Sequence, residues 1–437
     1  MLAHTPLLLQ LDTLSADPRT GFLRLRHPVD VTSLPGWLKG QTQYPQIYWH
    51  ARERDREFAC LGSLQEIRDP AALAALSGQA KPEGGSWPRY YGGLAFDPDH
   101  AHWPEFGPCR FVLPRIELIR QGNHTELVCN LWLTDDNREA EMAAAREALN
   151  ALQPALATAP LPPQPLTRQD SPDLPRWRQM VEAVLAPDSL SRIPKVVLSR
   201  QSRLALAQAY DPWDLIAAWQ PLSLNCFHFV FRFSPEQSFL ACSPERLYRR
   251  QERALATEAL AGTIVRCGDA QRDAELAAQL LADNKNRLEN RLVHADILTR
   301  LEGLADTAEL SEPQILSLRR VQHLKREIQA HLHPGVTDAQ LLAALHPTPA
   351  VGGCPRRKSK ALIHALEPQE RGWYAGACGL ISEDVAEFAV AIRCGRLAPD
   401  SLTLFAGAGI VEGSEPDAEW QELDDKLATL LGALTHE

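Results

Sequence analysis

The chain has 437 residues, of which 45% are hydrophobic, 23% charged and 7% aromatic. This is ordinary globular composition, which excludes global disorder, a collagen or a coiled coil and allows about three domains of roughly 150 residues or one large one. The 55 acidic and 45 basic residues leave a net charge of -10. A nucleic-acid partner is therefore not expected, whereas a small anionic substrate needs only a few local cations.

Nine cysteines, an odd number without a CxxC pair, argue against a disulfide scaffold and a zinc knuckle. The first ten residues lack the basic start and the apolar length of a signal peptide. No stretch approaches the ~18 apolar residues of a membrane helix. The expectation is a soluble, cytoplasmic protein with no membrane partner. Most basic residues are arginine, so each lysine near chemistry merits separate attention.

In chain order, the strand-like run Thr125–Thr134 is followed by strong helix formers from Asn137 to Leu152. Proline repeats from Gln153 to Pro175 break both helix and sheet and mark a connector. A helix is predicted over Pro175–Leu185, and Val196–Leu198 opens a β-rich stretch. In Cys226–Phe233 the period-two spacing puts Phe227, Phe229, Phe231 and Phe233 on one face of a strand. A turn at Ser234–Gln237 leads to a second strand, Ser238–Cys242. Asp273–Leu304 reads as one long helix. Ser401–Phe405 reads as a strand entering a glycine-rich loop, Gly407–Gly413. The last helix begins near Pro416, with Trp420, Leu423, Leu427, Leu430 and Leu434 as its apolar stripe. Strands and helices mix without βαβ alternation, which favours a layered α+β fold.

Several polar groups could carry chemistry. Lys195, in KVVLSR, starts a strand; among apolar neighbours its pKa would fall and it could act as a base, although the segment alone fits an exposed lysine better. Glu245, in SPER, ends a strand, where burial would make it a general acid; a surface pair with Arg246 is the equal alternative. Gly262 lets backbone amides approach an anion, or simply makes a turn. Glu289 lies at the edge of its helix's buried stripe. Glu419, Glu422 and Lys426 are spaced i, i+3 and i+7, which gives either an ordinary Glu422–Lys426 pair or a carboxylate for a hard cation such as Mg²⁺. Gly407-Ala408-Gly409 follows a strand, but the spacing G-x-G-x-x-x-G is not that of a dinucleotide site.

HPTPAVGGCPR, RGWYAGACGLIS, AVAIRCGRL and LFAGAGIVEGSEPDAEWQELDDK, with KVVLSR, SPERL, TEALAGT and DNKNRLEN, resemble the motifs of the chorismate-utilising enzymes in the family's order. The resemblance covers about Pro175 to Leu431. It implies an anthranilate synthase component I-like fold: two antiparallel β-sheets packed face to face and flanked by helices, with the active site between them. Three stretches are expected: 1–152 as a divergent part integrated into the same body, 153–174 as the connector and 175–432 as the catalytic domain. Family members that add ammonia usually carry Gln where this chain has Lys195; members that add water carry Lys. Aminodeoxychorismate synthases carry a nucleophilic lysine in a PIKGT-like motif, where this chain has Ala261. The pattern is most similar to isochorismate synthases of the menaquinone type. Siderophore-type isochorismate synthases and salicylate synthases share the Lys and Glu pair and remain alternatives.

The resemblance implies roles. Lys195 would deprotonate a water attacking C2 of chorismate, and Glu245 would protonate the departing C4 hydroxyl. Lys195 must then be neutral, Glu245 protonated, and the pH profile bell-shaped. Glu289 and Glu422 would bind Mg²⁺, with Glu419 outside them, and the metal would hold the ring carboxylate. Arg393 and Tyr374, with the backbone at Gly407, would hold the enolpyruvyl carboxylate. Gly262 and Thr263 would border the ring, and Lys426 would add charge near the metal-bound carboxylate. His346 would line the site without an assigned step, or simply start a loop. No glutamine amidotransferase subunit is expected.

Overall fold

The computed structural model describes residues 4–14, 19–76, 86–100 and 103–435. Two sheets carry the fold, one of 12 strands and one of 10 among the described residues, with antiparallel neighbours throughout. Both sheets draw strands from both sides of the proline-rich segment. In the first, Gln46–His50 pairs with Phe227–Arg232, and Trp49 lies opposite Phe229. In the second, Tyr90–Leu94 pairs with Ala377–Ile381. The sheets meet through contacts such as Phe58 on Tyr91, with ring centroids 5.6 Å apart, and a 2.8 Å hydrogen bond from the Tyr91 hydroxyl to Glu117.

The alternating phenylalanines share a face, as their spacing predicts, and Phe227, Phe229 and Phe231 are fully buried. Phe231, Phe233, Phe239 and Phe106 surround Trp373 at centroid distances of 5.4 to 6.1 Å, mostly edge-on. Each such burial contributes about 1.5–3 kcal/mol. The cluster, with a 2.9 Å bond from Trp373 Nε1 to the Gly107 carbonyl, anchors the segment that carries Tyr374. The opposite face of the Phe strand is buried as well: His228 and Val230 have no exposure, so the strand is interior on both sides.

Three expectations are corrected. The long helix is two helices, Ala270–Ala282 and Asn284–Leu301. Asp283 separates them in an extended conformation, and its side chain accepts a hydrogen bond from the Asn286 amide; this N-cap starts the second helix. The connector holds a short strand, Thr167–Ser171, paired with Lys195–Ala205; side-chain spacing had no means of showing a strand that rests on backbone pairing alone. The glycines at 407 and 409 lie inside a strand, Ser401–Ile410, rather than in a loop. The final helix, Pro416–Thr435, packs its stripe as expected: Leu423, Leu427, Leu430 and Leu434 are buried. No helix among the described residues is long and apolar enough to cross a membrane.

Candidate active site

Two neighbouring chain segments cross between the two sheets. Ser238–Ser243 belongs to the first and Arg246–Gln251 to the second. Val385–Val390 belongs to the second and Cys394–Ala398 to the first. The two crossings are tied together by hydrogen bonds from the Cys242 amide to the Arg393 carbonyl (3.0 Å), from the Val390 amide to the Glu245 carbonyl (3.0 Å), and from the Ser243 hydroxyl to the Val390 carbonyl (2.6 Å). Glu245 and Arg393 therefore sit at the cleft where the sheets diverge. Arg393 makes its crossing with φ +49°, a left-handed conformation uncommon for a side chain of its size.

One cavity at this junction is lined by Glu245, Gly262, Thr263, Glu289, Tyr374, Arg393, Gly407, Glu422 and Lys426, all singled out in the sequence. Lys195 lies at its edge. It is completely buried at the start of Lys195–Ala205, and its Nζ is 3.0 Å from Glu289 Oε1. The local reading of an exposed lysine is thus overturned: the flanking strands Gly353–Cys354 and Ser401–Ile410 cover it. Glu245 is also buried, which overturns a surface pair with Arg246. Burial and the nearby Glu258 carboxylate raise its pKa to about 8, against the opposing pull of Lys195, Lys426 and Arg393. It is a protonated acid at neutral pH.

Glu422 has the opposite character. Burial alone would raise its pKa, but Lys426, Lys285 and Arg393 outweigh that effect and hold it below the ordinary carboxylate value. Lys426 Nζ is 2.6 Å from Glu422 Oε1 and donates to the Gly407 carbonyl at 2.7 Å, fastening the last helix to the strand. Glu419 does not line the cavity; it is buried and paired with Lys285 at 2.7 Å.

The glycines are required by close approach. A Cβ on Gly409 would stand 2.5 Å from Glu289 Oε1 and 3.2 Å from Lys195 Cε, and one on Gly407 would stand 2.5 Å from the Tyr374 hydroxyl. Tyr374 stacks on Phe405 at 5.2 Å, which fixes the ring whose hydroxyl points at Gly407. Gly262, at φ +91°, lets the strand Ala254–Val265 bulge. The Thr263 amide then donates to Asn286 Oδ1 at 3.1 Å. Asn290 donates to the carbonyls of Ala259, Ala261 and Leu324, clamping the Glu289 helix to the bulge.

His346 is not part of this cavity. Its Nε2 donates to the Ala95 carbonyl at 3.1 Å and its side chain lines a separate apolar cavity with Leu94, Phe96 and Lys360. Burial lowers its pKa to about 4. The chain turns after His346 so that Ala350 and Val351, not the imidazole, reach the site.

Sequence reading missed three groups. His323 lines the cavity, with Nδ1 3.0 Å from Thr263 Oγ1 and Nε2 3.4 Å from an Arg393 nitrogen. Burial, Arg393 and Lys426 push it well below the ordinary histidine pKa, so the ring is neutral. Guanidinium can only donate, so Nε2 accepts and Nδ1–H donates to the threonine hydroxyl. Glu258 is the second: Arg52 grips it through two bonds of 2.6 and 2.9 Å, and the resulting carboxylate helps keep Glu245 protonated. Third, Arg371 bonds Glu367 and the carbonyls of Val197 and Val351 behind the cavity wall. Glu258 stood in the quoted TEALAGT motif; His323 lies in an alternating strand without any local signal.

The cavity combines a buried acid, two further carboxylates and two cations, Arg393 and Lys426, with the buried Lys195 at its edge. That set suits a small substrate bearing carboxylates and an acid–base reaction. Relatives agree with it. The chain is 38% identical over 397 residues to isochorismate synthase MenF of Escherichia coli, covering 90% of this chain and 89% of that one. It is 36% identical over 427 residues to the salicylate biosynthesis isochorismate synthase of Pseudomonas aeruginosa, covering 93% and 88%. The solved structure of the menaquinone-specific enzyme MenF from Escherichia coli superposes with a TM-score of 0.88 at 35% identity, over 99% of this chain and all of that one. Anthranilate synthase component I of Streptococcus pneumoniae shares the fold, with a TM-score of 0.71 at 18% identity over 95% and 93% of the two chains. The family model described as chorismate binding enzyme matches residues 10–435, and with the cavity's residues in place the chain belongs to that family.

Proposed function

We propose that this protein is an isochorismate synthase of the menaquinone type, converting chorismate to isochorismate by adding water at C2 and releasing the C4 hydroxyl. The single observation that carries the reading is the pair Lys195 and Glu245. Both are buried: Glu245 lines the cavity as an acid protonated at neutral pH, and Lys195 lies at its edge, 3.0 Å from Glu289, where the motif resemblance implies the lysine of water-adding members. Water needs its proton removed as it attacks, and hydroxide is a poor leaving group unless protonated; the pair meets both needs.

Within this reading Lys195 takes the proton from water and Glu245 gives one to the departing oxygen. Arg393 has no carboxylate within ion-pair distance among the described residues and is free to bind one on the substrate, where its planar fork matches a carboxylate. Tyr374 and the Gly407 backbone border that carboxylate. Gly262 and Thr263 border the ring, and Lys426 adds positive charge beside Glu422. Glu289 and Glu422 would hold Mg²⁺. Both line the same cavity, and their hard oxygen donors fit a cation that takes one or two carboxylates and completes its shell with substrate oxygens and water. When bound, that cation supplies charge neutralisation for a substrate carboxylate.

Chorismate incubated with the protein and Mg²⁺, without ammonia, is expected to yield isochorismate, identified by chromatography. Salicylate as the main product would select the salicylate synthase alternative, and anthranilate or aminodeoxychorismate on adding ammonium would overturn the reading.

A second expectation follows from the close approach at Gly409. In Gly409→Ala the new methyl meets the end of the Glu289 side chain, which can swing away, so the fold survives. The carboxylate, however, leaves its place beside Lys195. Turnover should fall by about tenfold or more, as displacement of a positioned group does, while the melting temperature stays near that of the parent. Unchanged turnover would show that Glu289's position is not critical.

A further inference from the structure

A second polar cluster lies away from the active site. Asp97, His100 and His364 offer one ligand atom each within 4.8 Å of one another. The Asp97 carboxylate is only 2% exposed on its side chain, yet both imidazoles converge on the same oxygen, Oδ2: His364 Nε2 at 2.8 Å and His100 Nδ1 at 3.2 Å. The two rings stack with centroids 4.3 Å apart. The other oxygen, Oδ1, is taken by Lys360 Nζ at 2.9 Å and by the Asp99 amide at 3.2 Å. A neighbouring cavity bounded by Phe96, Ile363, Glu367 and Gly372 opens beside the histidines, and it shares no residue with the active-site cavity.

We propose that Asp97, His100 and His364 form a binding site for a divalent transition ion of the zinc class. The argument is geometric. Metal–ligand bonds of about 2.0–2.1 Å in a tetrahedral arrangement put ligand atoms about 3.3 Å apart; the His100 nitrogen already stands 3.2 Å from Oδ2, and the His364 nitrogen, at 2.8 Å, needs to draw back by about half an ångström, which its part-exposed ring permits. Two imidazoles and one carboxylate are a borderline ligand set that prefers Zn²⁺, Co²⁺ or Ni²⁺ over Mg²⁺. Lys360 and the Asp99 amide fix Oδ1 and leave Oδ2 aimed at the histidines, as an outer shell does for a metal ligand. His100 and His364 are 57% and 35% exposed, so an ion can enter from solvent, and the cavity that both line leaves room for a water to complete its shell. A plain salt network is the competing account, and it predicts no affinity for these ions.

The test is a Co²⁺ titration of the full chain in excess Mg²⁺, followed by visible absorption and by calorimetry. Excess Mg²⁺ occupies all-oxygen sites and does not compete for imidazole. One equivalent of Co²⁺ should produce d–d bands of a four- or five-coordinate site, and Zn²⁺ should bleach them. His364→Ala and His100→Ala, both at exposed side chains, should each weaken binding by about tenfold or more, the scale on which metal sites respond to lost support, with circular dichroism and chorismate turnover unchanged. Absence of d–d bands, or bands that both variants leave intact, would overturn the site.

Discussion

Lys195→Gln and Glu245→Gln are each expected to reduce turnover of chorismate by about 10²–10⁴-fold, the usual share of general acid–base catalysis, while substrate binding persists. Gln at 195 keeps length but cannot accept a proton; Gln at 245 keeps shape but cannot donate one as an acid. In the proposed mechanism neither residue is a principal carboxylate anchor, so calorimetric affinity for chorismate should change little. The pH dependence of kcat/KM supplies an independent check. As the proposed acid, Glu245 would act when protonated, so activity should fall as pH rises through about 8, the value that burial and Glu258 impose.

The same group affects stability with a definite sign. Between about 4.5 and 8 the unfolded chain has ionised this carboxyl and the folded chain has not, so its contribution to stability is lost progressively as pH rises across that window and is flat above it. Glu245→Gln removes that loss. At about 1.4 kcal/mol for each pH unit, the variant should gain on the order of 5 kcal/mol over the parent between acid and alkaline melts. Near-parental turnover by Lys195→Gln with water as nucleophile would mean that another residue is the base.

Glu289→Gln or Glu422→Gln is expected to abolish Mg²⁺-dependent turnover with the fold intact. Each replaces an anionic oxygen donor with a neutral amide, and a hard cation that takes only one or two protein carboxylates loses much of its attraction to the site. The two variants should differ in a revealing way. Glu289→Gln also removes the ion-pair partner of buried Lys195, 3.0 Å away, whereas Glu422→Gln removes that of Lys426, 2.6 Å away at the Gly407 carbonyl. Chelation of the parent protein with EDTA should silence it and excess Mg²⁺ should restore it. Full activity in EDTA would refute a metal role for both carboxylates.

Chain chemistry by itself determined the elements whose signal is local. The alternating phenylalanines of 226–233, the leucine stripe after Pro416 and the eight ordered motifs are legible because side-chain period and motif spacing are written along the chain. Most of the cavity followed from those motifs. What only the tertiary structure decided depends on contacts between distant segments. Lys195 read locally as an exposed strand end, yet two flanking strands bury it completely. Asp283 split a helix whose composition looked continuous. Glycines 407 and 409 proved to be strand positions kept free of side chains for Tyr374 and Glu289, a requirement set by residues 33 and 120 positions away in the chain and invisible in their own neighbourhood. His346 turned to a separate cavity while unmarked His323 entered the site, because the sheet crossings at Glu245 and Arg393, not sequence distance, set which side chains meet. Sequence fixes what each residue can do; burial and the meeting of the two sheets decide which residues are placed, and charged, to do it.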